Sequence, residues 1–123
     1  AKYGDVMNLN ETPAEFARKI GVLNAHCEAV GRDPAQITKT IYTFVALQDD
    51  ERKAATLRER FAPHASEDER RHNIAIGNAE QVVGVLERYV EAGADEVIIP
   101  SLLANNDFRE YERLDAEVLS AFD

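Results

Sequence analysis

The chain is short of cations. Lys and Arg number 14 against 23 Asp and Glu in 123 residues, a formal net charge of −9. A nucleic-acid or anionic-membrane surface needs clustered Lys and Arg, and here they are scattered, so neither partner is expected. Long apolar runs are missing too. None approaches the roughly 20 residues of a membrane span, and no stretch has the pattern of a signal peptide. Cysteine is nearly absent. Cys27 alone cannot close an intrachain disulfide, which suits a reducing, cytoplasmic setting. It lies four residues after Leu23 on an apolar helix face, the place of a buried structural thiol rather than a nucleophile.

The usual catalytic signatures are also missing. There is no Gly-x-Ser-x-Gly elbow to expose a serine. His26 and His64 lack metal-ligand spacing with any Cys or carboxylate pair. Gly77-Asn78 opens a helix, but without a glycine cluster it is a weak phosphate cradle. No catalytic residue and no metal ligand is expected within these residues.

What is present is an alternation of strands and helices in a chain that is 45% hydrophobic, the size of one domain at most. Asp5 to Leu9 reads as a short strand. Thr12 caps a helix with Pro13 at its first position and Glu15 closing a capping box. Phe16, Ile20, Leu23, Cys27 and Val30 form its apolar stripe, and Gly31 stops it. Asp33 and Gln36 frame a second box around one helical turn. Thr40 to Leu47 is nearly continuous in β-branched and aromatic residues, as in a strand covered on both faces. A helix from Asp50 to Phe61 follows, with Ala54, Leu57 and Phe61 on one side. His64 to Asn73 is highly charged and reads as a mobile excursion with one helical turn after Ser66. Ile74 to Gly77 is short and extended. Asn78 caps the next helix, whose buried stripe is Val82, Val85, Leu86 and Tyr89, and Gly93 ends it. Glu96 to Pro100 is the third main strand, and a final helix carries Phe108, Tyr111, Leu114, Val118 and Phe122.

Strands joined by helical crossovers lie parallel in one sheet. Three such strands are rarely a complete sheet. The chain is therefore expected to be the C-terminal part of a larger α/β enzyme, a single partial domain over residues 1–123. A small intact protein is the alternative.

Four stretches in order resemble the luciferase-like flavin or deazaflavin oxidoreductases. Tyr3-Gly4-Asp5-Val6-Met7-Asn8 is similar to that family's Tyr-Ala-Asp-x-x-Asn strand. Leu23 to Pro34 is similar to its long helix ending in Gly-Arg-Asp-Pro. Ile76-Gly77-Asn78-Ala79-Glu80-Gln81-Val82 matches its Gly-Thr-Pro-Glu-x-Val helix start, with Asn for Thr and Ala for Pro. Glu91 to Pro100 resembles its last crossover and final barrel strand. The resemblance implies an α/β fold, the last three βα units of a TIM (βα)8 barrel with parallel strands. A small doubly wound open sheet is the alternative fold. It also implies a parent oxidoreductase or monooxygenase that moves a hydride between a deazaflavin (coenzyme F-420) or FMN and a small organic substrate. Most of the cofactor site would lie upstream, and the isolated chain would be inactive. A non-catalytic, barrel-derived binding or assembly module is the competing class.

In such a barrel function sits at the C-terminal ends of the strands. Three places qualify. Asn8 and Asn10, with Glu11, follow the first strand and offer carboxamides that both donate and accept. Arg71 and His72, beside Arg70, would suit an anionic tail through guanidinium forks. Ser101 opens the loop to Asn106 after the last strand. Each place has a plain structural reading as well: strand-end hydrogen bonding for Asn8, i to i+4 pairs for Arg71 and His72, and helix capping for the last loop. Finally, three βα units would leave the inner face of the sheet bare at Val6, Val45 and Val97, with both edges unpaired. The expected partner is the rest of the barrel, or a homo-oligomer that closes the sheet.

Overall fold

The computed structural model describes residues 1–100 and 108–122. Two compact units divide the chain, one formed by Ala1–Thr43 and Arg88–Ile98, the other by Phe44–Glu87 and Ile99–Asp123.

The first unit holds a parallel three-stranded sheet. Strand β1 (Val6–Leu9) leads through helix α1 (Pro13–Ala29) and a 3-10 turn (Pro34–Gln36) to β2 (Thr38–Tyr42). β2 is central, with β1 on one side and β5 (Glu96–Ile98) on the other. Val6 pairs with Thr38 and Leu9 with Ile41, while Thr40 pairs with Glu96 and Tyr42 with Ile98. Spatial order and chain order run the same way. A doubly wound sheet reverses direction at a switch point, so this arrangement is that of a partial (βα)8 barrel.

Alternation along parallel strands sends Met7, Leu9, Ile41 and Val97 to one face and Val6, Asn8, Thr40 and Ile98 to the other. α1 covers the first face. Its Phe16, Ile20 and Cys27 are buried, as is Ile41 beneath them. Each large aliphatic buried this way contributes roughly 1.5–3 kcal/mol. The second face stays open at Val6, 60% exposed, and at Ile98, 41% exposed. Of the residues expected on a bare inner face, Val6 lies there. Val97 is half-buried on the helix side, and Val45 is buried in the other unit.

The ends of α1 follow their sequence signals. Thr12 Oγ1 accepts from the Glu15 amide at 3.3 Å, but the Glu15 carboxylate turns to Arg18 instead of closing the box. Asp33 likewise accepts from Ala35 rather than framing Gln36. At the far end the Arg32 amide reaches the Cys27 carbonyl and the Gly31 amide the Glu28 carbonyl. Both bonds of a Schellman motif are thus made, with Gly31 at φ +70.

The second unit holds β3 (Val45–Leu47), α2 (Glu51–Phe61), α3 (Glu67–Asn73), β4 (Ala75–Gly77), most of α4 (Ala79–Glu91) and α5 (Phe108–Glu117), which runs into a 3-10 turn (Leu119–Phe122). β3 and β4 pair in parallel, Val45 with Ala75 and Leu47 with Gly77. The strand expected over 40–47 is therefore two strands with different partners. β5 ends at Ile98, whose carbonyl accepts from the Thr43 amide at 3.1 Å; past that point the chain must find a new neighbour, and β4 supplies it. The helical turn expected after Ser66 is there and runs further, as the helix Glu67–Asn73. Ser66 and Glu69 form a complete capping box that starts α3, and Arg70 donates to the Ala62 and Pro63 carbonyls at 2.8 and 3.0 Å, tying α3 to the end of α2. α4 buries Val82, Val85, Leu86 and Tyr89 as its spacing implies, and Asn78 Oδ1 accepts from the Gln81 amide at 2.9 Å.

Two helix-ending glycines separate conformational strain from steric fit. A Cβ at Gly31 would meet open space, while one at Gly93, φ +109, would stand 2.9 Å from Ile20 Cδ1. A left-handed conformation costs a non-glycine residue about 1–2 kcal/mol. Gly31→Ala should lose about that much in chemical denaturation and Gly93→Ala more, because Ile20 must also give way. The reverse order would refute the assigned geometry.

Candidate functional site

The C-terminal ends of β1, β2 and β5 meet around one side chain. Tyr89 enters from the last turns of α4 and is 3% exposed. Cβ atoms tilt toward a helix's N-terminus, which aims this phenol toward the strand ends. Its ring meets Phe16 edge-on, with centroids 6.3 Å apart and an interplanar angle of 80°. Its hydroxyl donates to the Glu11 carbonyl at 2.8 Å. The Thr43 side chain, one residue past β2, lies beside the same phenol. Glu11 turns its carboxylate to Lys19 of α1. The loop between β1 and α1 is thereby held at both its backbone and its side chain.

Asn8 and Asn10 flank this arrangement. The Thr40 hydroxyl lies 2.9 Å from Asn8 Oδ1 and 3.0 Å from the Met7 carbonyl, and its single proton serves one of them. With its oxygen facing Thr40, Asn8 offers Nδ2 donors on the open face of the sheet. Asn10 is exposed in the loop. On the open sheet face Asn8 stands among Val6, Thr38 and Thr40, a polar strand surface with one exposed valine.

Arg71 and His72 lie in the other unit, on α3. Arg71 meets Glu51 at 3.3 Å and Glu67 at 3.2 Å. His72 Nδ1 sits 2.7 Å from the Asp68 carbonyl and 3.4 Å from its carboxylate. Arg71 and His72 thus face carboxylates along their own helix, and Arg71 also reaches the first turn of α2. Ser101 lies outside the described residues, as does its loop to Asn106. Among the described residues no group of three or more His, Cys, Asp or Glu is placed to hold a metal ion.

Two features escaped the sequence reading. Arg58 replaces Leu57 and Phe61 as the buried partner of Ala54: it is 1% exposed, donates to the Ile76 carbonyl at 2.7 Å and pairs with Glu51. A guanidinium has five donors and is buried only when paired; Glu51, two turns earlier on the same helix, was the available signal. Tyr89 was visible only as one apolar position among four, because periodicity does not report where a hydroxyl points. An apolar cleft of about 390 Å³ also runs between β1 and α1, lined by Met7, Leu9, Val22 and Leu23 and rimmed by Lys19 and His26. No β2 residue lines it, so it opens toward the unpaired side of β1.

No protein-family model matches the sequence, and no curated protein matches it. Solved structures do match the fold. The coenzyme F-420 dependent tetrahydromethanopterin reductase of Methanopyrus kandleri is 17% identical over 97% of this chain and 46% of its own, with a TM-score of 0.71. An F-420-dependent secondary alcohol dehydrogenase, solved with an F-420–acetone adduct, is 19% identical over 79% of this chain and 37% of its own, with a TM-score of 0.62. The chain thus spans less than half the length of either structure. The fold is the luciferase-like one, in part. No helix among the described residues is long and apolar enough to cross a membrane.

Burial raises the Tyr89 phenol above its ordinary pKa, and the nearby Glu11 carboxylate adds to this; the adjacent Thr43 side chain opposes it. A raised folded-state value means the folded protein holds the proton more tightly than the unfolded chain. The associated stability is fully present below the ordinary value and is lost as pH rises through the folded one. Ultraviolet titration should show Tyr89 ionising later than free tyrosine, as a late phase that Tyr89→Phe removes. A titration unchanged by Tyr89→Phe above the ordinary tyrosine range would contradict the site geometry.

Proposed function

We propose that the chain is the C-terminal part, a single partial domain over residues 1–123, of a luciferase-like oxidoreductase or monooxygenase. The parent transfers a hydride between a deazaflavin, coenzyme F-420, and a small organic substrate, and works in the cytoplasm. FMN is the alternative coenzyme. The observation that carries this reading is the parallel, unreversed β1-β2-β5 sheet, exposed at Val6 and Ile98 on one face, joined to a fold likeness covering 97% of the chain. Both solved relatives named above use F-420 by their own descriptions.

The donor set suits the ring end of such a coenzyme. Asn8 and Asn10 would contact its polar edge, and Val6 and Ile98 would offer apolar wall. The phosphate-bearing tail is a poorer match, because Arg71 already faces two carboxylates. Arg71 and His72, with Ser101, are assigned a peripheral part in binding coenzyme or substrate, and most of the coenzyme site is assigned to residues upstream. Bound, the deazaflavin itself donates or accepts the hydride. These residues bind and orient it and supply no acid, base or nucleophile. The partner of the open sheet is the remainder of the same barrel, or a second copy of the chain, seated against β1 and its cleft.

Spectrophotometric titration of the full-length protein with F-420, and separately with FMN, tests this. Saturable binding of F-420 with a shifted visible band is expected, followed by reduction of the coenzyme when an alcohol or similar small donor is supplied. Saturation by FMN alone moves the protein to the flavin branch. Binding of neither coenzyme would leave the non-catalytic module as the better reading. The 123-residue chain by itself should show no turnover.

A further inference from the structure

We propose that Tyr89 is a positioning residue: its phenol fixes the Asn10–Thr12 loop, and with it the carboxamides of Asn8 and Asn10, in register with the ends of β2 and β5. The importance of that loop for a ligand rests on the reading given under Proposed function; the pinning itself does not.

The loop is three residues long and joins β1 directly to α1. Its middle carbonyl, that of Glu11, receives the Tyr89 proton at 2.8 Å. Thr43, one residue past β2, lies beside the same phenol, and its amide donates to the carbonyl of Ile98, the last residue of β5, at 3.1 Å. The hydroxyl therefore holds the second residue beyond β1 next to the point where the ends of β2 and β5 join. A buried tyrosine needs some partner for its hydroxyl, and a single nearby carbonyl would satisfy that need. Here the carbonyl it takes lies in a strand-end loop 78 residues away, beside Thr43 at the end of β2. Long-range order matters at such a place, because a binding group acts only when it is held in its productive position. The Glu11–Lys19 pair cannot replace the pin, since it holds the side chain to α1 and leaves the backbone unregistered.

Tyr89→Phe in the full-length protein removes the hydroxyl and keeps the ring against Phe16, so the fold is retained. The loop's state is read by amide exchange at Glu15 and Phe16, which donate to the Thr12 hydroxyl and carbonyl at 3.3 and 2.8 Å. Losing one hydrogen bond of ordinary strength, about 1 kcal/mol, should speed exchange there by roughly fivefold to tenfold. Cys27→Ala is the comparison: it opens a small void near the other end of α1 and lowers stability without touching the loop. Acceleration confined to the first turn of α1 in Tyr89→Phe, and absent in Cys27→Ala, supports the inference. Unchanged exchange at Glu15 and Phe16, or uniform acceleration along α1, overturns it. F-420 affinity supplies the second readout. Tyr89→Phe should weaken binding by about the same factor while Cys27→Ala leaves it alone; equal losses in both variants would mean that Tyr89 only stabilises the fold. If the wild-type protein does not bind F-420, the proposed function fails and the exchange result still decides the role of Tyr89.

Discussion

The parallel pairing of β2 with both of its neighbours governs the rest of the first unit. Parallel strands need a crossover of a dozen or more residues, and a crossover helix must bury its apolar stripe on the sheet. α1 does so with Phe16, Ile20 and Cys27, and the end of α4 adds Tyr89 against Phe16. Because β1, β2 and β5 follow one another in a single direction, the crossover helices have no reason to change sides. α1 goes to the face of Met7 and Ile41, and Val6 and Ile98 remain exposed on the other. Parallel sheets are ordinarily covered on both faces. The exposure at Val6 and Ile98 thus accompanies the strand order.

Much of the fold was legible because it is written in local chemistry. Pro13 after Thr12, Gly31 after a buried stripe, and Asn78 before Val82 each state a helix boundary in terms of a backbone bond that needs a partner. The misreadings have equally local causes. Residues 40–47 form one apolar run, and apolarity does not say that its two halves meet different partners; the division at Thr43 follows from where β5 stops. The run from His64 to Asn73 looked mobile because it lacks apolar residues. α3 is built instead from a capping box and from Arg70 reaching the end of α2, interactions that polar residues provide and hydrophobic periodicity ignores.

The candidate site was legible in position more than in mechanism. That functional groups collect at strand ends follows from the βα pattern, and Asn8 lies there beside Thr40. The register among those ends depends on the Tyr89 hydroxyl meeting Glu11, 78 residues away. Contacts of that separation have no signature in a single sequence. The same holds for Arg58, whose burial is permitted by the Ile76 carbonyl and by Glu51. In both cases the spacing marked a buried position and could not specify the polar partner that makes burial tolerable.

The central proposal is that the β1-β2-β5 sheet, exposed at Val6 and Ile98 and with unpaired edges among the described residues, is completed by further strands. Sedimentation equilibrium of the 123-residue chain at micromolar concentration, with far-ultraviolet circular dichroism on the same sample, tests it most directly. The account expects a folded oligomer, or a monomer that has lost its sheet. A folded, strictly monomeric chain with its strand signal intact would contradict it.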